Sequence, residues 1–412
     1  MAVKNAIAAL VAACAASAVC AQDAVDPVAV LVRHLDLEKY KATIKGLTQF
    51  GDRRQGTARN RAALDWIEAQ LKSYGCTNTE RLQYQFTEPA RRSPAAPRPA
   101  LAGGPAGQGG STLFGKRAPI GVNIDAMAQP DERLRQLDAE PTPEGTSLRE
   151  NVYCTKVGST RPDEMYIVGA HMDGIGWGEA ANDDGSGTAL VMELARIFSM
   201  PGVTTERSIR FVLWNNEETG LNGAYAYVEQ RKALQGVESP KGSGRYPEPK
   251  WLGMIQHDMM MFDHGMPVPK LDAAGKPVLD AKGQPVYTAP QEQRAEADVN
   301  IEYQGMSRHA DAAAKLAWHF RAANDKYAMN YPAAVGFHMT NTDSTPFMDE
   351  VPAISLRENE RGQQIGAGWN PHWHQPTDLF VNYSDKDFLL GLNAAQTTLA
   401  AVAQLTGARV KP

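Results

Sequence analysis

The chain has 412 residues, 43% of them hydrophobic and 22% charged, with a formal net charge of −5. That length can bury a sizeable core, and the mildly acidic balance excludes a phosphate-seeking basic surface and, with it, nucleic acid as the main partner. Beyond the N-terminus no stretch offers the ~18 consecutive apolar residues of a membrane span. Two counts call for an explanation: 26 Pro beside 36 Gly, and only four Cys.

Residues Met1 to Ala21 carry one charge, Lys4, followed by an Ala-, Val- and Leu-rich run that ends in Val19-Cys20-Ala21. This pattern predicts a signal peptide cleaved before Gln22, and so a periplasmic or extracellular protein. Val11-Ala12-Ala13-Cys14 offers a lipid-anchored alternative, with a very short apolar run for that purpose. Cleavage leaves Cys76 and Cys154, and an exported chain permits a disulfide between them.

Leu64, Ile67 and Leu71 at helical spacing predict a helix over 60–74, and 77–86 alternates as a strand. From Thr87 to about Thr146 the composition turns to that of a loop, as in Ser93-Pro94-Ala95-Ala96-Pro97-Arg98-Pro99. A surface insertion is expected there, with one short helix near 130–139. A regular alternation follows: strand 165–170, helix 185–200, strand 208–214, helix 221–234, strand 252–256. Such alternation requires crossover connections, hence an α/β fold with a mostly parallel central sheet and helices on both faces. The octet starting at Leu271 is nearly repeated from Leu279, and its Asp-Ala-x-Gly units predict a protruding hairpin within a second insertion, about 265–300. A helix over 307–324, a strand over 352–356 and a helix over 384–405 complete the chain. Ser384 and Asp387 form a capping box for the last helix, and Gly407 stops it. The resulting reading is one domain over 22–412, decorated twice.

The unusual residues fall at particular places. His171-Met172-Asp173 follows strand 165–170, and Asn182-Asp183-Asp184-Gly185-Ser186-Gly187 leads into the next helix. Strand 208–214 ends in Asn215-Asn216-Glu217-Glu218-Thr219-Gly220, strand 252–256 in His257-Asp258, and His374-Gln375-Pro376-Thr377-Asp378 follows the strand near 354. Each alone is an ordinary turn, cap or solvated pair. Together they sit at the carboxyl ends of strands, where open parallel sheets place their binding crevice. Histidines and carboxylates without a nearby cysteine suit a hydrolytic zinc site or a harder divalent metal. Residues two apart on extended chain point the same way, so Asp173 is placed to accept the other ring N–H of His171. Adjacent Glu217 and Glu218 point apart, so one can be a ligand and the other a general base. Two divalent ions carry +4, which Asp183, Glu218, Asp258 and one bridging hydroxide would balance.

These motifs, over roughly 151–407, resemble the secreted co-catalytic di-zinc metallopeptidases typified by bacterial leucyl aminopeptidases, with glutamate carboxypeptidases and glutaminyl cyclases as relatives. The resemblance implies a phosphorylase/hydrolase-like zinc exopeptidase architecture. It implies two Zn2+ ions held by His171, Asp183, Glu218, Asp258 and His374. Asp183 would bridge them, and the resemblance implies a cis peptide bond from Asp183 to Asp184. Glu217 would be the general base acting on a metal-bridging hydroxide, with Asp173 behind the metals. His374 is preferred to His372 because it keeps the spacing to Asp378, and His257 and His264 are assigned to the pocket rim or the scaffold. Ser344 departs from the family, standing where His is common. The implied activity is removal of N-terminal residues from peptides. The alternatives are a carboxypeptidase or dipeptidase with Arg357 or Arg361 binding the substrate carboxylate, then a glutaminyl cyclase, then a non-catalytic binding protein.

Overall fold

Alternation of apolar residues along the central strands splits the interior into two layers of core, one on each side of a sheet. The computed structural model describes residues 26–88, 122–263, 270–286, 297–339, 341–360 and 370–411. The expected signal peptide, His264 and Arg361 lie outside the described residues. In chain order the elements are α1 (Pro27–Val32), α2 (Leu37–Thr48), α3 (Ala58–Ser73), β1 (Thr79–Thr87), α4 (Glu132–Asp138), β2 (Thr146–Lys156), β3 (Arg161–His171), α5 (Gly185–Phe198) and β4 (Val203–Thr204). Then come β5 (Arg207–Trp214), α6 (Asn222–Arg231), β6 (Lys250–His257), β7 (Ala297–Tyr303), α7 (Ala310–Tyr327), β8 (Ala333–Gly336), β9 (Ala353–Glu360), α8 (Asp385–Thr406) and β10 (Arg409–Val410).

The main sheet has eight strands in the order β1-β2-β5-β3-β6-β9-β7-β8. Its centre, β5-β3-β6-β9, is parallel throughout. Antiparallel pairing of β2 with β5 and of β7 with β9 makes the two flanks mixed. Even-numbered Val168 and Ala170 of β3, with Ile209, Phe211 and Leu213 of β5, join the large core beneath α1, α2, α3, α5, α7 and α8. Their neighbours Met165, Ile167, Val212 and Trp214 face the smaller core under α6. This is the period-2 rule of a strand buried on both sides.

The predicted elements recur with shifts of a few residues, and the capping box of Ser384 and Asp387 and the stop at Gly407 (φ 63°) are both present. α8 is long and apolar enough by composition to cross a membrane, but 78% of its most apolar window is buried against the core. Thr87 pairs directly with Thr146, so the first insertion is the loop of the β1–β2 hairpin. The second ends earlier than expected, because β7 already begins at Ala297 and pairs with β9. Within the near-repeat, Asp272 and Asp280 each close a tight turn, Asp272 N donating to Lys276 O and Asp280 N to Gln284 O. Cys76 and Cys154 form a disulfide that ties the α3–β1 connection to β2, with Cα atoms 6.1 Å apart.

Candidate metal centre

The four central parallel strands deliver the chemistry. His171 is the last residue of β3, Asp258 follows β6 directly, and Glu217 and Glu218 lie just beyond β5. Asp183 sits between β3 and α5, and His374 between β9 and α8. The structure brings His171, Asp183, Glu217, Glu218, Asp258 and His374 into one cleft of about 240 Å³, also lined by Met259, Asn341, Arg357 and Trp373. Asp173 is not in this lining but meets His171 and Glu217 directly.

Asp183 is central. Its Oδ1 lies 3.3 Å from His171 Nε2, and its Oδ2 lies 3.0 Å from His374 Nε2. His171 Nε2 is also 3.7 Å from Asp258 Oδ1, and His374 Nε2 is 2.9 Å from Glu218 Oε2. Four ligands about 2.0–2.1 Å from a tetrahedral zinc ion are separated by about 3.3 Å, a spacing close to that of these direct contacts. Ligand atoms of His171, Asp183 and Glu218 lie within 4.8 Å of one another, as do those of His171, Glu217 and Asp258. Glu218 Oε1 and His374 Nδ1 are buried without a hydrogen-bond partner.

The surrounding backbone is built to hold this arrangement. Asp184, joined to Asp183 by a cis peptide bond, caps α5 by accepting from Gly187 N at 2.9 Å. It also accepts from His171 N at 3.1 Å and Met259 N at 3.2 Å, so one carboxylate joins three of the converging loops. Asp378 accepts from Asn182 N and Asp183 N at 2.9 and 3.1 Å. Asp173 does orient His171, but through a different atom than its spacing suggests. His171 Nδ1 meets the backbone oxygen of Asp173 at 3.0 Å, while the Asp173 carboxylate accepts from Glu217 N at 3.1 Å. The turn after β3 brings the carbonyl, not the side chain, to the ring. Met259, Asn341 and His374 all adopt positive φ of 57°, a conformation that costs non-glycine residues about 1 kcal/mol or more and clusters at functional sites.

Without an ion, negative charge dominates the cleft. Burial disfavours charge on His171, yet Glu217, Asp183, Asp184 and Asp258 hold its pKa well above the ordinary imidazole value. His374 behaves likewise, burial being overruled by Asp183 and Glu218 so that its pKa reaches about 10. Burial and the charge of Asp183 push Glu218 up to about 7. Asp258 stays low despite burial because Arg357 donates to its Oδ2 at 2.8 Å. Buried imidazoles and carboxylates crowded in this way, with Glu218 Oε1 and His374 Nδ1 unpartnered, fit divalent cations.

Some roles escape sequence reasoning. Asp343 is fully buried, and burial together with the neighbouring acids keeps its pKa well above the carboxylate range. Asp184 reads as a simple cap until its three donors are seen. His257 belongs to the scaffold: its ring meets Gly169 O at 3.1 Å and Thr398 Oγ1 at 2.8 Å, and it is not part of the cleft's lining. His372 turns to Thr377 Oγ1 at 2.9 Å, leaving His374 to face Asp183. Ser344 is buried beside Asp343.

An α/β sheet covered on both faces, with histidines and carboxylates gathered at its central strand ends, is the class of architecture that the fold and the cleft define. The family model for peptidase family M28 matches residues 151–399, and the chain belongs to that family. It is 34% identical over 170 residues to the probable lipoprotein aminopeptidase LpqL of Mycobacterium tuberculosis, covering 41% of this chain and 29% of the relative. It is 37% identical over 82 residues to carboxypeptidase Q of Xenopus laevis, covering 20% of this chain and 18% of that one. The chain thus spans under a third of the length of these curated relatives. The structure of BSAP, a zinc aminopeptidase from Bacillus subtilis, superposes with a TM-score of 0.54 at 18% identity, covering 90% of this chain and 95% of that chain.

Proposed function

We propose that this chain is an exported di-zinc exopeptidase that removes N-terminal residues from peptides, built as one catalytic unit with two insertions. The observation that carries the reading is Asp183, whose two oxygens face two different histidines. His171 and Asp258 would hold one zinc, Glu218 and His374 the other, with Asp183 shared. Two zinc ions there would lower the pKa of a water and polarise the scissile carbonyl. Glu217 would be the general base, taking the proton of a metal-activated water and returning it to the leaving amine: Asp173 fixes its backbone, and its carboxylate lies close to His171 and Asp258. A cleft of about 240 Å³ is small beside the ~300–1,000 Å³ of pockets that swallow drug-sized ligands, which favours the end of a peptide over its middle. The disulfide favours an oxidising compartment, in keeping with export.

The test is hydrolysis of aminoacyl chromogenic substrates, with loss on chelation, recovery with zinc, and two zinc ions per chain by elemental analysis. Activity indifferent to chelator would refute the reading. One observation favours a second specificity. Arg357 lines the cleft beside Asp258, where a guanidinium would attract a substrate carboxylate and repel an N-terminal ammonium. A carboxypeptidase would cleave N-acetylated dipeptides and spare C-amidated ones, an aminopeptidase would do the reverse, and a dipeptidase would cleave neither while cleaving the unblocked dipeptide.

A further inference from the structure

Apart from Asp183 and Glu218 at its Nε2, His374 is held by its backbone. Its Nδ1 makes no hydrogen bond, its ring lies on Trp373 with centroids 4.0 Å apart, and its φ is 57°. Loop 370–378 therefore decides where the ring stands. That loop is seated on loop 174–179 with no side chain between them: a Cβ on Gly176 would lie 2.5 Å from the His374 carbonyl, and one on Gly178 2.9 Å from Gln375 O. Glu179 N donates to Asp378 O at 2.9 Å on the same seam.

The outer side of this seam is closed by the first insertion. Gln129, 0% exposed, donates from Nε2 to Trp177 O at 2.7 Å and to Pro376 O at 2.9 Å. Two carbonyl acceptors require the NH2 end of the amide to face the seam, so the side chain is a cross-link with one hydrogen for each loop. Asn123 repeats the pattern, its N donating to His374 O at 3.0 Å and its Nδ2 to Gly176 O at 3.4 Å. Gln129 Oε1 accepts from Asp131 N at 3.0 Å, at the start of α4. α4 is itself anchored by buried Leu134 and by Asp138, which accepts from Asp52 N at 3.2 Å and pairs with Arg59 at 3.5 Å. A strap thus runs from the core, through α4, to loop 370–378, which carries His374, and to loop 174–179 against which it is seated. Residues 122–138 lie outside the family match of 151–399, so this chain holds a ligand inside the family's region with a segment outside it.

We propose that Gln129 is a positioning residue for the zinc site formed by Glu218 and His374, acting by clamping loop 370–378 onto loop 174–179. The inference rests on the di-zinc reading above. Gln129→Met keeps the length and removes both donors; Gln129→Glu sets a carboxylate against two carbonyls. Leu71→Ala, in α3 and away from the cleft, is a control that destabilises without touching the seam. Each mature full-length variant is loaded with zinc and titrated against a chromophoric chelator, alongside a melting curve. The wild type should release two zinc ions from tight sites. In both Gln129 variants one should stay as tight and the other weaken by roughly 10- to 100-fold, the range seen when a group supporting a ligand is lost. Leu71→Ala should lower the melting temperature and leave both sites tight. Wild-type zinc binding in both Gln129 variants overturns the inference, as does equal weakening in Leu71→Ala. A wild type that binds no zinc overturns the di-zinc reading itself, and this inference with it.

Discussion

Replacing Asp378 by Asn tests how the centre is held without touching a proposed ligand. Asp378 Oδ1 accepts from Asn182 N and the Tyr383 hydroxyl, each at 2.9 Å, and Oδ2 accepts from Asp183 N at 3.1 Å. All of these groups are buried. An amide keeps one acceptor oxygen, so one backbone N–H must face an NH2 group. The loss of one charge-assisted bond costs ~1.5–3 kcal/mol, and the stranded donor adds ~1–3 kcal/mol. Taking about 3–5 kcal/mol together, and an unfolding entropy of about 2.1 cal/mol/K per residue, the metal-free melting temperature should fall by ~4–6 °C. Oδ1 already serves two donors, so the oxygen stays there and Asp183 N is abandoned. The zinc-dependent rise in melting temperature should therefore shrink as well, since ligand stabilisation follows RT ln(1 + [L]/Kd). Scanning calorimetry of metal-free and zinc-loaded protein measures both. Unchanged melting temperatures in the two states would refute the role assigned to Asp378.

Glu217→Gln should keep both zinc ions and lose ~10²–10⁴ in hydrolysis rate, the usual worth of a general base; loss of a zinc ion instead would make Glu217 a ligand. Reducing the Cys76–Cys154 bridge, whose partners are 78 positions apart, frees a loop worth about 4.5 kcal/mol of chain entropy. The melting temperature in reductant, or of the Cys76→Ser/Cys154→Ser variant, should drop by about 5 °C; no drop would dismiss the bridge as a stabiliser. Asp138 is raised to about 8 by burial and by the charge of Asp52. The folded chain therefore keeps a proton that the unfolded chain gives up near pH 4, and this group's contribution to stability falls as pH rises from about 4 to about 8. Asp138→Asn should flatten that part of the melting-temperature profile, and a profile parallel to wild type would refute the assignment.

The central strands and the residues at their ends were legible in the sequence because both are local. An apolar run followed at once by His171, Glu217 or Asp258 declares a buried strand and its open end. The flanks were legible only in part: β1 shows in its alternation, but α2, with Tyr40, Ile44 and Leu47 at helical spacing, and β7, with Val299, Ile301 and Tyr303 alternating, carry short signals that the surrounding loop composition and the insertion masked. β8 is the four residues Ala333–Gly336, too short for any period to show. Within the site, side chains that meet metal-type partners carry a residue-type signature. Those that meet backbone groups do not: Asp184, Asp378 and Gln129 work through N–H and carbonyl groups that every residue possesses. Asp173 shows the limit most sharply, the right residue acting through an atom common to all twenty types.

The order in which the chain is made bears on how the centre comes together. His374 belongs to a loop that reaches the cleft only after β9 has paired beside β6, more than two hundred positions after His171 has been laid down in β3. Asp183, Glu217, Glu218 and Asp258 all precede β9 in the chain, and of the two cleft histidines only His171 does. Contacts as distant as that of His374 are slow to form, because closing the intervening loop costs entropy before anything is gained. On the di-zinc reading, arrival of His374 and capture of a cation would each lower the cost of the other.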